Sequence, residues 1–144
     1  MVVIEKLNIR LLIVESDKEP YEKTVRNRLD KFRQIIGNDN IEVIVFDEDT
    51  LLIFDADAFV NNVEVNRILG DGYKIRGTFI LTGNNEKEQD FKDITDEQIA
   101  EYKNLFRLSN EIIHNRDMEE GEDMELWRKK ELYHFLYSQY FVFR

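Results

Sequence analysis

The chain has 144 residues, no cysteine and a formal net charge of −10 at pH 7. That length predicts one domain, or one domain with an extension, which buries roughly two-thirds of its unfolded surface. The lack of cysteine excludes disulfides and thiolate metal sites, and the negative charge argues against direct binding to nucleic acid or to an anionic membrane. The N-terminal residues lack the pattern of a signal peptide, and no apolar run is long enough to span a membrane, so we expect a soluble cytoplasmic protein.

The first third of the chain predicts a strand followed by a helix. Residues 7–14 are apolar and β-branched apart from two polar positions, which predicts a mostly buried strand. Pro20 suits the first turn of a helix, and from Tyr21 onward an apolar residue recurs every three or four positions. We therefore predict an amphipathic helix over residues 20–36, ended by Gly37.

The middle of the chain predicts further strands. Residues 41–46 and 51–54 are apolar runs separated by a short polar turn, which is typical of a hairpin. Residues 55–72 predict a loop with a short apolar anchor at Phe59 and Val60. Residues 73–82 predict one more strand, in which Gly77 indicates a bulge or a closely packed neighbour.

The C-terminal part predicts helices. Thr95 and Gln98 have the spacing of a capping box, which marks the start of a helix. Residues 117–125 are acidic and predict an exposed linker, and residues 126–143 carry too many aromatic rings for a simple surface helix. The predicted fold is therefore α+β: a small, mostly antiparallel sheet packed by one amphipathic helix in residues 1–108, followed by a helical, aromatic-rich extension in residues 109–144.

The net charge is concentrated in residues 84–126, which contain fourteen carboxylates and five basic side chains. Such a run is usually a solvated face, but its concentration next to an aromatic tail favours a protein-binding surface. The acids predicted to bind a partner are Glu86, Glu88, Asp90, Asp93, Asp96, Glu97, Glu101, Asp117, Glu119, Glu120, Glu122, Asp123 and Glu125. The rings predicted to anchor it are Trp127, Tyr133, Tyr137, Tyr140 and Phe141.

Catalytic and metal-binding patterns are weak in this sequence. His114 and His134 are twenty residues apart and do not match a metal-binding spacing, so a structural or surface role is favoured. The acids at residues 47–49 and 55–57 could offer oxygens to Mg²⁺ or Ca²⁺, but acids are ordinary in turns at strand ends. We predict no enzymatic activity, no metal and no cofactor.

Three polar residues beside the predicted sheet suggest an alternative site. Asn66, Arg67 and Arg76 could hold a phosphate or carboxylate through a guanidinium group. The same three residues could instead form an internal ion pair that fixes the long loop, and this structural role is favoured over ligand binding.

Seven short motifs of this chain match motifs of a known group of proteins, in the same order. They are EPYEK at 19–23, QIIG at 34–37, IEV at 41–43, NR at 66–67, IRGTF at 75–79, DF at 90–91 and ITDEQI at 94–99. In these motifs residues 11–106 resemble a family of uncharacterised small proteins from phages, plasmids and integrative elements of Firmicutes and related bacteria. The family usually has two glycines where this chain has Gly37 and Asn38, and a plainer loop at 55–65. The resemblance implies an origin in a mobile element, a bacterial host cell and an α+β fold, and it implies no catalytic residues.

Charge and resemblance together lead to one main functional expectation. The chain is expected to be a phage- or mobile-element-encoded inhibitor that binds a basic host defence protein handling nucleic acid, such as a CRISPR effector. Carboxylates one helical turn apart are about 5–6 Å from each other, so an acidic helix can occupy a basic channel without copying DNA charge spacing. The alternatives are a module that binds or sequesters a small anion or nucleotide at Asn66, Arg67 and Arg76, and an accessory protein that forms a homodimer through its aromatic tail.

Overall fold

The computed structural model describes residues 7–69 and 73–108, which form two helices and eight strands. The elements in chain order are β1 (Asn8–Val14), β2 (Tyr21–Arg26), α1 (Leu29–Ile36), β3 (Ile41–Asp47), β4 (Thr50–Asp55), β5 (Val65–Ile68), β6 (Lys74–Arg76), β7 (Phe79–Asn85), β8 (Asp90–Lys92) and α2 (Asp96–Leu105). The predicted α+β class with a mostly antiparallel sheet is confirmed. The predicted helical extension lies outside the described residues. No helix in the described ranges is long and apolar enough to cross a membrane.

The main sheet has the strand order β2-β1-β7-β4-β3, with every neighbouring pair antiparallel. Its register aligns apolar residues across the central strands, since Leu12 and Leu52 both lie opposite Leu81. β8 pairs with the last three residues of β7, on the part of that strand beyond its pairing with β1. β5 and β6 form a separate two-stranded sheet.

Both faces of the main sheet are covered. On one face α1 buries Phe32, whose ring meets Phe91 edge-on at a centroid distance of 5.1 Å. On the other face α2 buries Tyr102, and Phe106 just beyond it packs edge-on against Phe79 at 5.2 Å. Burial on both faces explains why all six residues of β4 are buried instead of alternating with polar ones.

The predicted helix over residues 20–36 is wrong in its first half. Residues 21–26 form the edge strand β2, and helical structure begins at Leu29. Tyr21 and Val25 are four positions apart, an even spacing that places two residues on one face of a strand as well as of a helix. The helix ends as predicted at Gly37, which has a left-handed φ of 87° and donates its N–H to the Arg33 carbonyl.

The region predicted as a long loop contains a strand. β5 lies within residues 55–72, and the predicted anchor is wrong because Phe59 and Val60 are 44% and 82% exposed. The strand predicted over 73–82 is divided into β6 and β7 at Gly77, where φ is 74°. A Cβ at Gly77 would lie 3.2 Å from Val63, so the predicted close neighbour is confirmed.

The start of α2 matches its prediction. The Thr95 hydroxyl accepts from the Gln98 N–H at 3.1 Å, and the Gln98 side-chain oxygen accepts from the Thr95 N–H at 2.9 Å. These two bonds satisfy backbone donors that the first turn of a helix leaves unpaired.

Candidate functional site

Two acidic turns meet at one end of the main sheet. Thr50 at the start of β4 lies opposite Gly83 on β7, so the β3–β4 turn and the β7–β8 turn emerge side by side. The Asn84 N–H donates to the Asp49 carbonyl at 2.9 Å, and the Asn84 side-chain amide is 3.3 Å from the Glu48 carbonyl. The sequence brings these acids together only through strand pairing, because the two turns are more than thirty residues apart.

The first turns of α2 are fixed to the same end. The buried side-chain amide of Gln98 donates to the Asp49 carbonyl at 2.9 Å and to the Thr50 hydroxyl at 2.8 Å. The Tyr102 hydroxyl is 3.0 Å from that of Thr50 and donates to the Asp47 carboxylate. This polar network joins the helix to the β3–β4 turn, and its geometry sets where the outward-facing acids of α2 lie.

Three segments therefore supply carboxylates to one surface, which we call the acidic end. All seven of its side chains are exposed. They are Asp47, Glu48, Asp49, Glu86, Glu88, Glu97 and Glu101. Lys87 and Lys92 lie in the β7–β8 turn and on β8, so the surface is predominantly rather than uniformly negative.

The acidic end contains a shallow cavity but no arrangement that fits a metal. Asp47, Asp49 and Glu101 line an open cavity of about 320 Å³ together with Gln98 and Tyr102. Among the described residues no group of three or more histidines, aspartates or glutamates is placed to hold a metal ion. The Asp47 carboxylate instead accepts from the Asp49 N–H at 2.9 Å, which is a common turn contact.

The second pair of turn acids is held by asparagine. The Asn38 side-chain amide donates to Asp55 at 2.6 Å and to Asp57 at 3.0 Å. Asn40 donates to the other Asp57 oxygen at 3.1 Å. These contacts tie the end of α1 to the end of β4.

Asp90, Asp93 and Asp96, which were predicted to bind a partner, have contacts within the fold. Asp93 accepts from the Arg10 N–H at 2.8 Å, and Asp96 lies 2.8 Å from the Arg10 guanidinium. Glu22 holds the same guanidinium at 2.6 Å, and hydrogen bonds to Asp96 and then Glu22 raise the pKa of Arg10. Asp90 is half-buried and accepts from the Phe91 N–H at 2.6 Å. Of the predicted acids that the structure describes, Glu86, Glu88, Glu97 and Glu101 thus lie at the acidic end.

The remaining predicted acids and all the predicted rings lie outside the described residues. So do His114 and His134. Conversely, the sequence predictions did not assign Asp47, Glu48 and Asp49 to the acidic surface. The available signal was their position in a hairpin turn, but the strand order that brings the turn to α2 is not visible in the sequence.

Of the alternative site, Asn66 and Arg67 lie in the interior, whereas Arg76 is half-buried. Asn66 and Arg67 are 0% and 1% exposed. The Arg67 guanidinium donates to carbonyl oxygens of Phe106 at 2.8 Å and Lys18 at 2.6 Å. Arg76 donates to the Val63 carbonyl at 2.8 Å. These bonds hold separate segments of the fold together and leave little of the Arg67 guanidinium to meet a ligand.

Fold and site define a small α+β domain with an acidic surface at one end of a sheet that is covered on both faces. The chain belongs to the family described as Domain of unknown function (DUF3846), whose model matches residues 9–107. Comparisons with curated proteins and with solved structures find no significant match.

Proposed function

We propose that this chain is a non-enzymatic inhibitor that binds a basic protein through the acidic end and competes there with nucleic acid. The observation that carries the proposal is the convergence of acids from the β3–β4 turn, the β7–β8 turn and α2 on one exposed surface. A negative surface of this kind attracts a positive one and sets the rate and specificity of association.

The partner we propose is a host defence protein that handles nucleic acid, such as a CRISPR effector. Channels that hold nucleic acid are lined with lysine and arginine, and their binding depends on phosphate charge. Glu97 and Glu101 are one helical turn apart on α2, so their Cβ atoms lie about 5–6 Å from each other and their carboxylates are neighbours on the helix surface. An origin in a phage or another mobile element, which the sequence motifs imply, suits a protein of this kind.

The aromatic tail is proposed to complete the interface. Aromatic side chains are common energetic centres of protein interfaces, whereas exposed charges contribute mainly to steering. We therefore expect the acids to set the association rate and the rings to slow dissociation.

The experiment compares two variants that have the same net charge but differ in where four acids are neutralised. One variant neutralises the acidic end through Glu48→Gln, Asp49→Asn, Glu97→Gln and Glu101→Gln. The matched control neutralises four exposed acids elsewhere through Asp17→Asn, Asp30→Asn, Asp39→Asn and Glu64→Gln. Each immobilised full-length chain is used to capture proteins from a bacterial lysate, and the captured proteins are identified by mass spectrometry.

The proposal predicts that the unchanged chain and the control capture the same nucleic-acid-binding enzyme, and that the acidic-end variant loses it. Added DNA should prevent the capture. Equal loss of capture in both variants would show that binding depends on net charge alone. Unchanged capture by the acidic-end variant would show that the acidic end does not contact the partner. Either result would contradict the proposal.

A further inference from the structure

A basic groove lies on the opposite side of the sheet from α2. It is an open cavity of about 830 Å³ along α1 and the end of β2. Its charged lining residues are Arg26, Arg28, Lys31 and Arg33, with Asp30 and Asp39. Four cations against two carboxylates make this groove locally positive in a chain whose net charge is −10.

The contacts within the groove leave its positive charge in excess. Arg33 lies 3.1 Å from the Asp30 carboxylate and also donates to the Asp39 carbonyl at 2.9 Å. Arg28 lies 3.6 Å from the same Asp30 carboxylate. One carboxylate therefore serves two guanidinium groups, while Arg26 and Lys31 add further charge to the lining.

The described part of the chain ends beside the β1–β2 loop. The Leu108 N–H donates to the Glu19 carboxylate, and Arg67 bonds the carbonyls of Phe106 and Lys18. Lys18 and Gly37 line one cavity of about 520 Å³, and Gly37 also lines the basic groove. The cavity beside the end of the described chain thus shares Gly37 with the groove.

The sequence that follows Leu108 has the charge to fill this groove. Residues 117–125 contain six carboxylates and no basic side chain. The eight residues between Leu108 and Asp117 can span about 26–29 Å when extended, whereas the eight residues of α1 measure about 12 Å. Because the segment belongs to the same chain, its binding is intramolecular, and its effective concentration is set by the length of this connection.

We propose that the basic groove binds the acidic segment 117–125 of its own chain. Ion pairs between this segment and the groove hold the segment against the domain, and their strength falls as salt is added. The contact makes the exposure of the acidic segment 117–125 depend on ionic strength, independently of whether the acidic end binds a nucleic-acid-handling protein.

Paramagnetic broadening in the full-length chain tests this contact. Because the chain has no cysteine, Gly121→Cys gives a single attachment site for a nitroxide. At low salt the label should broaden the amide signals of α1 and of Arg26 more than those of the first turn of α2, which lies on the other face of the sheet. High salt should restore these signals.

Two charge variants carrying the same label distinguish the groove from general attraction. Arg26→Gln, Arg28→Gln and Lys31→Gln should abolish the broadening, whereas Lys87→Gln, Lys92→Gln and Lys103→Gln remove equal charge elsewhere and should preserve it. Broadening that is absent at low salt, or that survives the groove substitutions, would overturn the proposal. A mixing experiment tests for contact between two copies: a nitroxide-labelled chain without isotopes is added to an isotope-enriched chain without nitroxide. Equal broadening in that mixture would also overturn the proposal, since the contact would then join two copies.

Discussion

At the scale of single residues, Arg67 joins segments that are far apart in the sequence. It lies on β5 and is almost fully buried, yet it reaches the β1–β2 loop at Lys18 and the residue after α2 at Phe106. It also donates to the Asn66 side-chain oxygen at 2.6 Å. A buried guanidinium is tolerated because these oxygens satisfy its donors, so removing it would leave several buried acceptors without a partner.

Replacing Arg67 by methionine should lower the free energy of unfolding by about 3 kcal/mol, because buried carbonyl groups lose their donors. Urea denaturation measures the change. Arg107→Gln removes an exposed arginine and should change the free energy by less than about 0.5 kcal/mol. A cost for Arg67→Met as small as that of the control would show that the internal bonds contribute little.

Tyr21 gives a prediction for alkaline pH. Burial raises the pKa of its hydroxyl, and a hydrogen bond to Glu15 raises it further. The unfolded chain therefore releases this proton more readily, so the contribution to stability is complete below pH 10 and is lost as the pH rises above that value. Between pH 9 and pH 11 the free energy of unfolding should therefore fall less for Tyr21→Phe than for the unchanged chain. Urea denaturation at each pH measures this free energy. Parallel pH dependence in both proteins would contradict this assignment.

At the scale of elements, the link between α2 and the β3–β4 turn determines the shape of the acidic end. Gln98 has two functions in that link, since its oxygen caps the helix and its amide bonds the turn. The Thr95 side chain caps the helix through its hydroxyl. Comparing substitutions of the two residues therefore distinguishes the contribution of the helix cap to stability from that of the attachment of α2 to the turn.

Gln98→Ala should lower the free energy of unfolding by about 2 kcal/mol, and Thr95→Ala by about 1 kcal/mol. Chemical denaturation gives both values, and amide hydrogen exchange should show faster opening of α2 in the Gln98 variant. Asn104→Ala, at an exposed position of the same helix, should be close to neutral. Equal costs at Thr95 and Gln98 would indicate that attachment to the turn adds no stability.

The elements also show what the sequence could and could not predict. β1, the β3–β4 hairpin and the start of α2 were predictable because each has a local signal: an apolar run, a polar turn between two runs, and a capping box. The first half of the predicted helix was wrong because the spacing of Tyr21 and Val25 suits a strand equally well. β5 was missed because its buried polar residues, Asn66 and Arg67, hide the apolar pattern that identifies a strand.

The candidate site was predictable only in part for a related reason. The acids of α2 and of the β7–β8 turn stand out in the sequence by their density. Their association with the β3–β4 turn depends on the pairing of β4 with β7, which is a long-range contact. The contacts of Asp93 and Asp96 with Arg10 depend on the same strand order.

At the scale of the whole molecule, the described residues 7–69 and 73–108 place acidic and basic side chains on different surfaces. The acidic end lies by α2, the start of β4 and the ends of β3 and β7, whereas the basic groove follows α1 on the other face of the sheet. Such a separation orients the molecule as it approaches a charged partner, because each side is attracted or repelled differently. We expect the acidic end to lead in binding to a basic surface.

Competition with nucleic acid tests the central claim most directly. The apparent Kd of the captured partner for nucleic acid is measured while the full-length chain is titrated in at constant salt. A shared binding surface predicts that this Kd rises in proportion to chain concentration without reaching a plateau, and that the acidic-end variant at equal concentration leaves it near its starting value. A partner that binds the chain and nucleic acid together, with the Kd unchanged, would contradict the account.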